Sequence, residues 1–148
     1  MEIRETALNK QLAEKLIALS EAWEAEGSCH GYGKNTCADL AGRRIFLAEE
    51  NDEITGYLFG CPVEAEKSDS VMQEGTKYFE VEEIYVKPEH RSRGVGSALF
   101  RFMEERLEPE LKYIRLVAAS KKYKAALSFY IEELGMEFWS ALLFKKLG

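Results

Sequence analysis

The passage from residue 78 to residue 120 constrains the fold more than any other. "YFEVEEIYV", residues 78–86, is rich in aromatic and β-branched side chains and is halted by Pro88. "RSRGVG", residues 91–96, supplies turn residues, after which Leu99, Phe102 and Met103 give a helical stripe running to about Leu107. "YIRLVAAS", residues 113–120, reads as a second, buried strand. A strand, a helix and a strand in this order form a crossover, which is right-handed and makes its strands parallel. Leu127, Tyr130, Ile131 and Leu134, at i, i+3, i+4 and i+7, then mark an amphipathic helix closed by Gly135. "MEFWSALLFKKL", residues 136–147, is expected to add one or two closing strands, with a bend at Ser140.

The N-terminal half reads differently. Residues 2–7 suit a short edge strand. Asn9 is placed to cap a helix whose stripe is Leu12, Leu16, Leu19 and Trp23 and whose end is near Gly27. Gly31 and Gly33 break residues 28–42, where a short helix is expected after Asn35 or Thr36. "RRIFLAEEN" and "EITGYLFGCPVE" are two strands around a hairpin-like break at Asn51-Asp52. Residues 65–77 are polar and read as a long excursion. Together these elements predict one α/β domain over residues 1–148. Its mixed, mostly antiparallel sheet has six to seven strands, with helices on both faces.

Several classes are excluded. No apolar run approaches the about 20 residues needed to span a bilayer, and "MEIRETALNK" lacks a signal-peptide core. A cytoplasmic protein is expected. Cys29, Cys37 and Cys61 show no CxxC spacing, which argues against a disulfide framework. Cys29, His30 and Cys37 lack a fourth thiol or imidazole nearby, so no metal is expected. The net charge of −6 is uneven. Residues 1–86 hold 8 basic and 18 acidic side chains, and residues 87–148 hold 12 basic and 8 acidic. The second half suits an anion and the first a cation. The overall acidity disfavours nucleic acid as a partner.

The basic turn before the third helix reads as a phosphate cradle. The first turn of a helix offers unpaired N–H groups and a partial positive charge. Glycines at 94 and 96 leave those donors bare, and Arg91 and Arg93 add charge and forked donors. No Gly-Lys-Ser/Thr follows, so this is not a P-loop. Leu99 stands where a dinucleotide fingerprint needs its third glycine.

At these residues the chain resembles the GNAT superfamily of acyl-CoA-dependent N-acyltransferases. The signature Arg/Gln-x-x-Gly-x-Gly/Ala is met by Arg91-Ser92-Arg93-Gly94-Val95-Gly96, inside "IYVKPEHRSRGVGSALF". "AALSFYIEELGMEF", residues 125–138, is similar to the family's second motif. The resemblance implies a GNAT-like sheet with a splayed pair of parallel strands. It implies that backbone N–H groups of Arg91, Ser92, Arg93, Gly94, Val95, Gly96 and Ser97 hold the CoA pyrophosphate. It also implies that Ile84, Tyr85 and Val86 pair with the pantetheine amides as a further strand would.

Transfer of an acyl group from a thioester to an amine needs a proton acceptor, a stabilised oxyanion and a proton for the departing thiolate. The resemblance makes Tyr130 the acid. Glu80, eleven residues before Arg91, falls at the family's usual base position, and Glu82 shares its face in a regular strand. A bulge, frequent on this strand in the family, would swap the faces on one side of it. Glu83 is a third candidate base on this strand and also a candidate acceptor-binding residue, since residues 62–83 hold seven acids against Lys67 and Lys77. The resemblance implies that Tyr32 contacts the acceptor. The family's usual Asn seven residues before the tyrosine is Tyr123 here, so its contacts must be met differently.

The expected function is N-acetylation of a primary amine, on a small cationic compound or a peptide, by direct attack within a ternary complex with acetyl-CoA. The alternative is a non-catalytic acyl-CoA-binding sensor or interaction module. The resemblance also allows a homodimer through the C-terminal strands.

Overall fold

The computed structural model describes all 148 residues. Five strands form one sheet in the order β1-β2-β3-β4-β5. They are β1 (Glu2–Thr6), β2 (Arg44–Glu50), β3 (Glu53–Glu64), β4 (Lys77–Val86) and β5 (Tyr113–Arg115). Neighbours run antiparallel except β4 and β5, which are parallel. The helices are α1 (Lys10–Glu26), α2 (Cys37–Leu40), α3 (Val95–Glu105) and α4 (Tyr123–Leu127), which widens into a π-helical turn over Ser128–Glu133.

Local signals account for most boundaries. The Asn9 side chain accepts the Leu12 N–H at 2.8 Å, and Gly27 ends α1 in the left-handed region. Asn51 and Asp52 both take positive φ, as a two-residue hairpin with the right twist requires. The excursion at 65–77 is closed rather than open. Asp69 accepts the Val71 and Met72 N–H groups, and Ala65, Met72 and Tyr78 bury together.

Two apolar clusters fix the layers. Leu12, Leu16, Leu40, Ile45, Leu47, Tyr57, Phe59 and Tyr85 join α1 and α2 to one face of the sheet. Phe46, Leu58, Phe79, Val81, Val95, Leu99, Phe100, Met103 and Leu134 join α3 and the last helical turn to the other. Helices therefore cover both faces, as the sequence pattern implies.

The sheet has five strands, not six to seven. Residues 136–148 form no strand, and after the Met136 N–H, which bonds the Tyr130 carbonyl, they contribute no backbone hydrogen bond. Ala141, Leu142, Leu143 and Phe144 are apolar in succession, so no alternation sets which face turns inward. Leu142, Leu143 and Phe144 are exposed accordingly.

The expected strand 113–120 is likewise cut short. Only Tyr113, Ile114 and Arg115 pair, with Tyr78, Phe79 and Glu80, and Val117 is exposed. Beyond Arg115 the chain turns to the loop after α1. His30 donates its backbone N–H to Ala119 at 3.1 Å, and Lys121 donates to Ser28 at 2.8 Å. The result is a gap: β4 continues to Val86 with β3 on one side and no strand on the other.

Candidate active site

The gap is shaped by a bulge in β4. Phe59 of β3 lies opposite Glu83, but Gly60 lies opposite Val81, so Glu82 is the extra residue. Only glycine fits beside this kink, because a Cβ at position 60 would stand 2.1 Å from the Glu80 carbonyl oxygen. The bulge redistributes the side chains. Phe79 and Val81 pack with α3, as do Ile84 and Val86 beyond the bulge. Glu83 and Tyr85 turn to the α1 face. The faces of a regular strand would have put Glu83 with Val81, and the extra residue separates them.

The three strand acids thus acquire different partners. Glu80 takes a two-point contact from Arg115 of β5, at 2.9 to 3.3 Å. Glu82 takes one from Arg43, at 2.5 and 3.3 Å. Glu83 has no cation. Its Oε1 accepts from the Tyr32 hydroxyl at 3.1 Å, the Asn35 amide at 2.9 Å and the Tyr57 hydroxyl at 2.9 Å. Burial raises the Glu83 pKa, and the bonds from Asn35, Tyr57 and Tyr32 pull it back down. Burial and the Glu83 charge push both tyrosines above their ordinary range.

The loop that carries Tyr32 and Asn35 is fixed from both ends. Tyr32 stacks on Trp23 of α1, ring centroids 4.2 Å apart, and Trp23 stacks in turn on Tyr85 at 5.0 Å. Asn35 is buried and gives its backbone N–H to the Ser20 hydroxyl at 2.9 Å. Asn35, Tyr57, Arg43 and Arg115 escaped the sequence reading. Each lies far along the chain from the acid it touches, and no spacing rule connects them. Only the inward face of β3 hinted at Tyr57.

The turn after β4 also departs from a simple cradle. Helix α3 starts at Val95, with Gly94 as its left-handed cap. Ser92 takes positive φ as well. Arg93 is exposed. Arg91 points back along the strand. Its Nε donates to the Val86 carbonyl at 2.8 Å and its Nη2 meets the Glu26 carboxylate, again at 2.8 Å at its shortest. The Ser97 hydroxyl bonds the Glu133 carboxylate. Gly96 lies beneath the Phe129 ring, so its missing Cβ serves packing between helices.

Tyr130 lies on the opposite face of the sheet from Glu83. It packs into the cluster that includes Ile84, Val86 and Leu116, the residues flanking the gap. Its hydroxyl bonds no protein group, and its pKa is pushed up to about 12, chiefly by burial and further by Cys29. Tyr123 is exposed.

An extended ligand bearing amides matches the open edge of β4, and the first amides of α3 stand at the end of that edge. The family model for the acetyltransferase (GNAT) family matches residues 12–136. The chain belongs to the GNAT family. Solved structures share its fold over nearly its whole length. A mutant of the BH1408 protein from Bacillus halodurans superposes with a TM-score of 0.76 at 20% identity, over 99% of both chains. The aminoglycoside acetyltransferase meta-AAC0020 from an uncultured soil metagenomic sample gives 0.70 at 18% identity, over 99% of this chain and 96% of that one. A ribosomal-protein-alanine N-acetyltransferase from Brucella melitensis gives 0.65 at 17%, over 99% of this chain and all of the other. No curated protein sequence matches the chain. No helix of this GNAT domain is long and apolar enough to cross a membrane.

Proposed function

We propose that this GNAT protein transfers an acetyl group from acetyl-CoA to a primary amine by direct attack in a ternary complex. The observation that carries the reading is the gap beside β4, with the half-buried Tyr130 phenol on one face and the half-buried Glu83 carboxylate on the other. Pantetheine lies along the edge at Ile84 and Tyr85, while the Val86 carbonyl remains with Arg91. The pyrophosphate meets the amides from Ser92 to Ser97. Tyr130 gives the sulfur its proton as the C–S bond breaks.

The acceptor is a cationic amine, entering on the α1 face past Tyr32. Support comes from the excess of acids over residues 62–83. An aminoglycoside acetyltransferase and a ribosomal-protein-alanine acetyltransferase both share the fold, so an aminosugar and a peptide amine are the two acceptor classes to compare. Thiol release from acetyl-CoA, followed across a panel of polyamines, aminosugars and peptide amines, tests the reading. Amine-dependent release with stoichiometric N-acetyl product is expected. Tight CoA binding without release for any amine overturns it in favour of a binding module.

A further inference from the structure

Glu83 differs from its neighbours in how its two oxygens are used. All three donors converge on Oε1. Oε2 accepts nothing from the protein, and it is not sealed in, since no buried side-chain oxygen is left without a partner. A carboxylate so held cannot rotate without giving up three hydrogen bonds. One oxygen is saturated and the other is presented.

Glu80 and Glu82 are in the opposite state. Each faces an arginine fork that occupies both of its oxygens, so neither oxygen is left free to meet an amine. Glu83 accepts hydrogen bonds from neutral donors only, in a site that already resists its charge. The groups facing it are Tyr32 and Asn35 from the loop after α1, Tyr57 from β3 and Asp39 from α2, with the Arg43–Glu82 pair beside it at the bulge.

We propose that Glu83 takes the proton of the acceptor amine on Oε2, and that Tyr57 and Asn35 are positioning residues that hold it for this by occupying Oε1. The proposal rests on the N-acetyltransferase reading and assigns its base. The acceptor arrives as an ammonium and gives one proton to Glu83. The freed nitrogen attacks the thioester carbon, a C–N bond forms and the C–S bond breaks. Tyr130 protonates the thiolate and regains a proton from solvent. The nitrogen loses its second proton to solvent, and Glu83 releases its own there too. One proton leaves per turnover, with CoA thiol and N-acetyl amine as products.

The test is the pH profile of kcat at saturating acceptor, with folding of each variant checked by circular dichroism. Glu83 must be ionised to accept a proton, so wild type loses rate on the acid side. Glu83→Gln is expected to lower kcat about 100-fold or more and to abolish that acid limb. Glu80→Gln is expected to keep it. Tyr57→Phe and Asn35→Ala each remove a bond that favours the ionised form, so the limb moves to higher pH. A merely structural role for Tyr57 would lower activity at all pH values without moving the limb. An unchanged limb in Glu83→Gln, or an unmoved one in both Tyr57→Phe and Asn35→Ala, overturns the proposal while the acetyltransferase reading stands. Absence of turnover with every amine overturns both.

Discussion

Gly96 lies under the ring of Phe129, so close that a Cβ at 96 would stand 3.1 Å from the ring's Cζ. The second glycine of the signature thus serves the contact between α3 and the π-helical turn that follows α4. Gly96→Val forces a branched side chain into that contact and is expected to cost about 1–3 kcal/mol. Urea denaturation measures the loss. Adding Phe129→Leu, which shortens the opposing side chain, should restore part of it. Equal stability of Gly96→Val and wild type would mean that the ring yields freely.

Arg91 tests the balance between an internal anion and an external one. Its guanidinium is shared with Glu26, whose carboxylate also accepts the Tyr85 hydroxyl at 2.8 Å. A carboxylate there offsets the charge that would otherwise face a phosphate. Glu26→Gln is therefore expected to tighten CoA binding several-fold at low salt, with the gain shrinking as ionic strength rises. Arg91→Ala should weaken binding. Calorimetry at two salt concentrations measures both, and weaker binding by Glu26→Gln would show that Glu26 supports the turn more than it competes.

The sequence makes some of this legible and hides the rest for identifiable reasons. Asn9, Gly27, Asn51 and Asp52 act locally, and each stands where its backbone role can be read from its neighbours. The signature Arg91 to Gly96 is contiguous, so the turn and helix are read directly from the chain. The bulge is different. One extra residue, Glu82, separates Glu83 from Val81, and its place is set by β3 rather than by β4 alone. The pairings of Glu80 with Arg115 and of Glu82 with Arg43 span 35 and 39 residues. No local pattern encodes them. The closing strands failed for want of alternation: an unbroken apolar run states that a segment is hydrophobic without stating its register.

Tyr130 carries a pH dependence whose sign is fixed by its burial. Its folded pKa, about 12, lies above the ordinary value of 10.0. Above pH 10 the unfolded chain loses this proton while the folded one keeps it, so stability falls as pH rises from 10 to 12. The contribution is about 2–3 kcal/mol in full. Tyr130→Phe should flatten this part of the stability profile, measured by urea denaturation at pH 8 to 11. The same substitution is expected to slow turnover about 100-fold and to leave CoA affinity near wild type. An unchanged rate would remove Tyr130 from the chemistry.

Ser20 is a remote residue with a predicted effect on the site. It is fully buried in α1, donates to the Ile17 carbonyl at 2.8 Å and accepts the Asn35 N–H at 2.9 Å. Ser20→Ala leaves that N–H buried without a partner, at a cost of about 1–3 kcal/mol. The loss falls on the loop that carries both Tyr32 and Asn35 to Glu83. Two readouts are therefore expected together: a lower midpoint in urea, and faster hydrogen exchange over residues 28–36 than over β2 and β3. Ser20→Thr keeps the oxygen that accepts the Asn35 N–H and should retain the protection. Loss of global stability with unchanged relative exchange in the loop would place the effect in the packing of α1 instead.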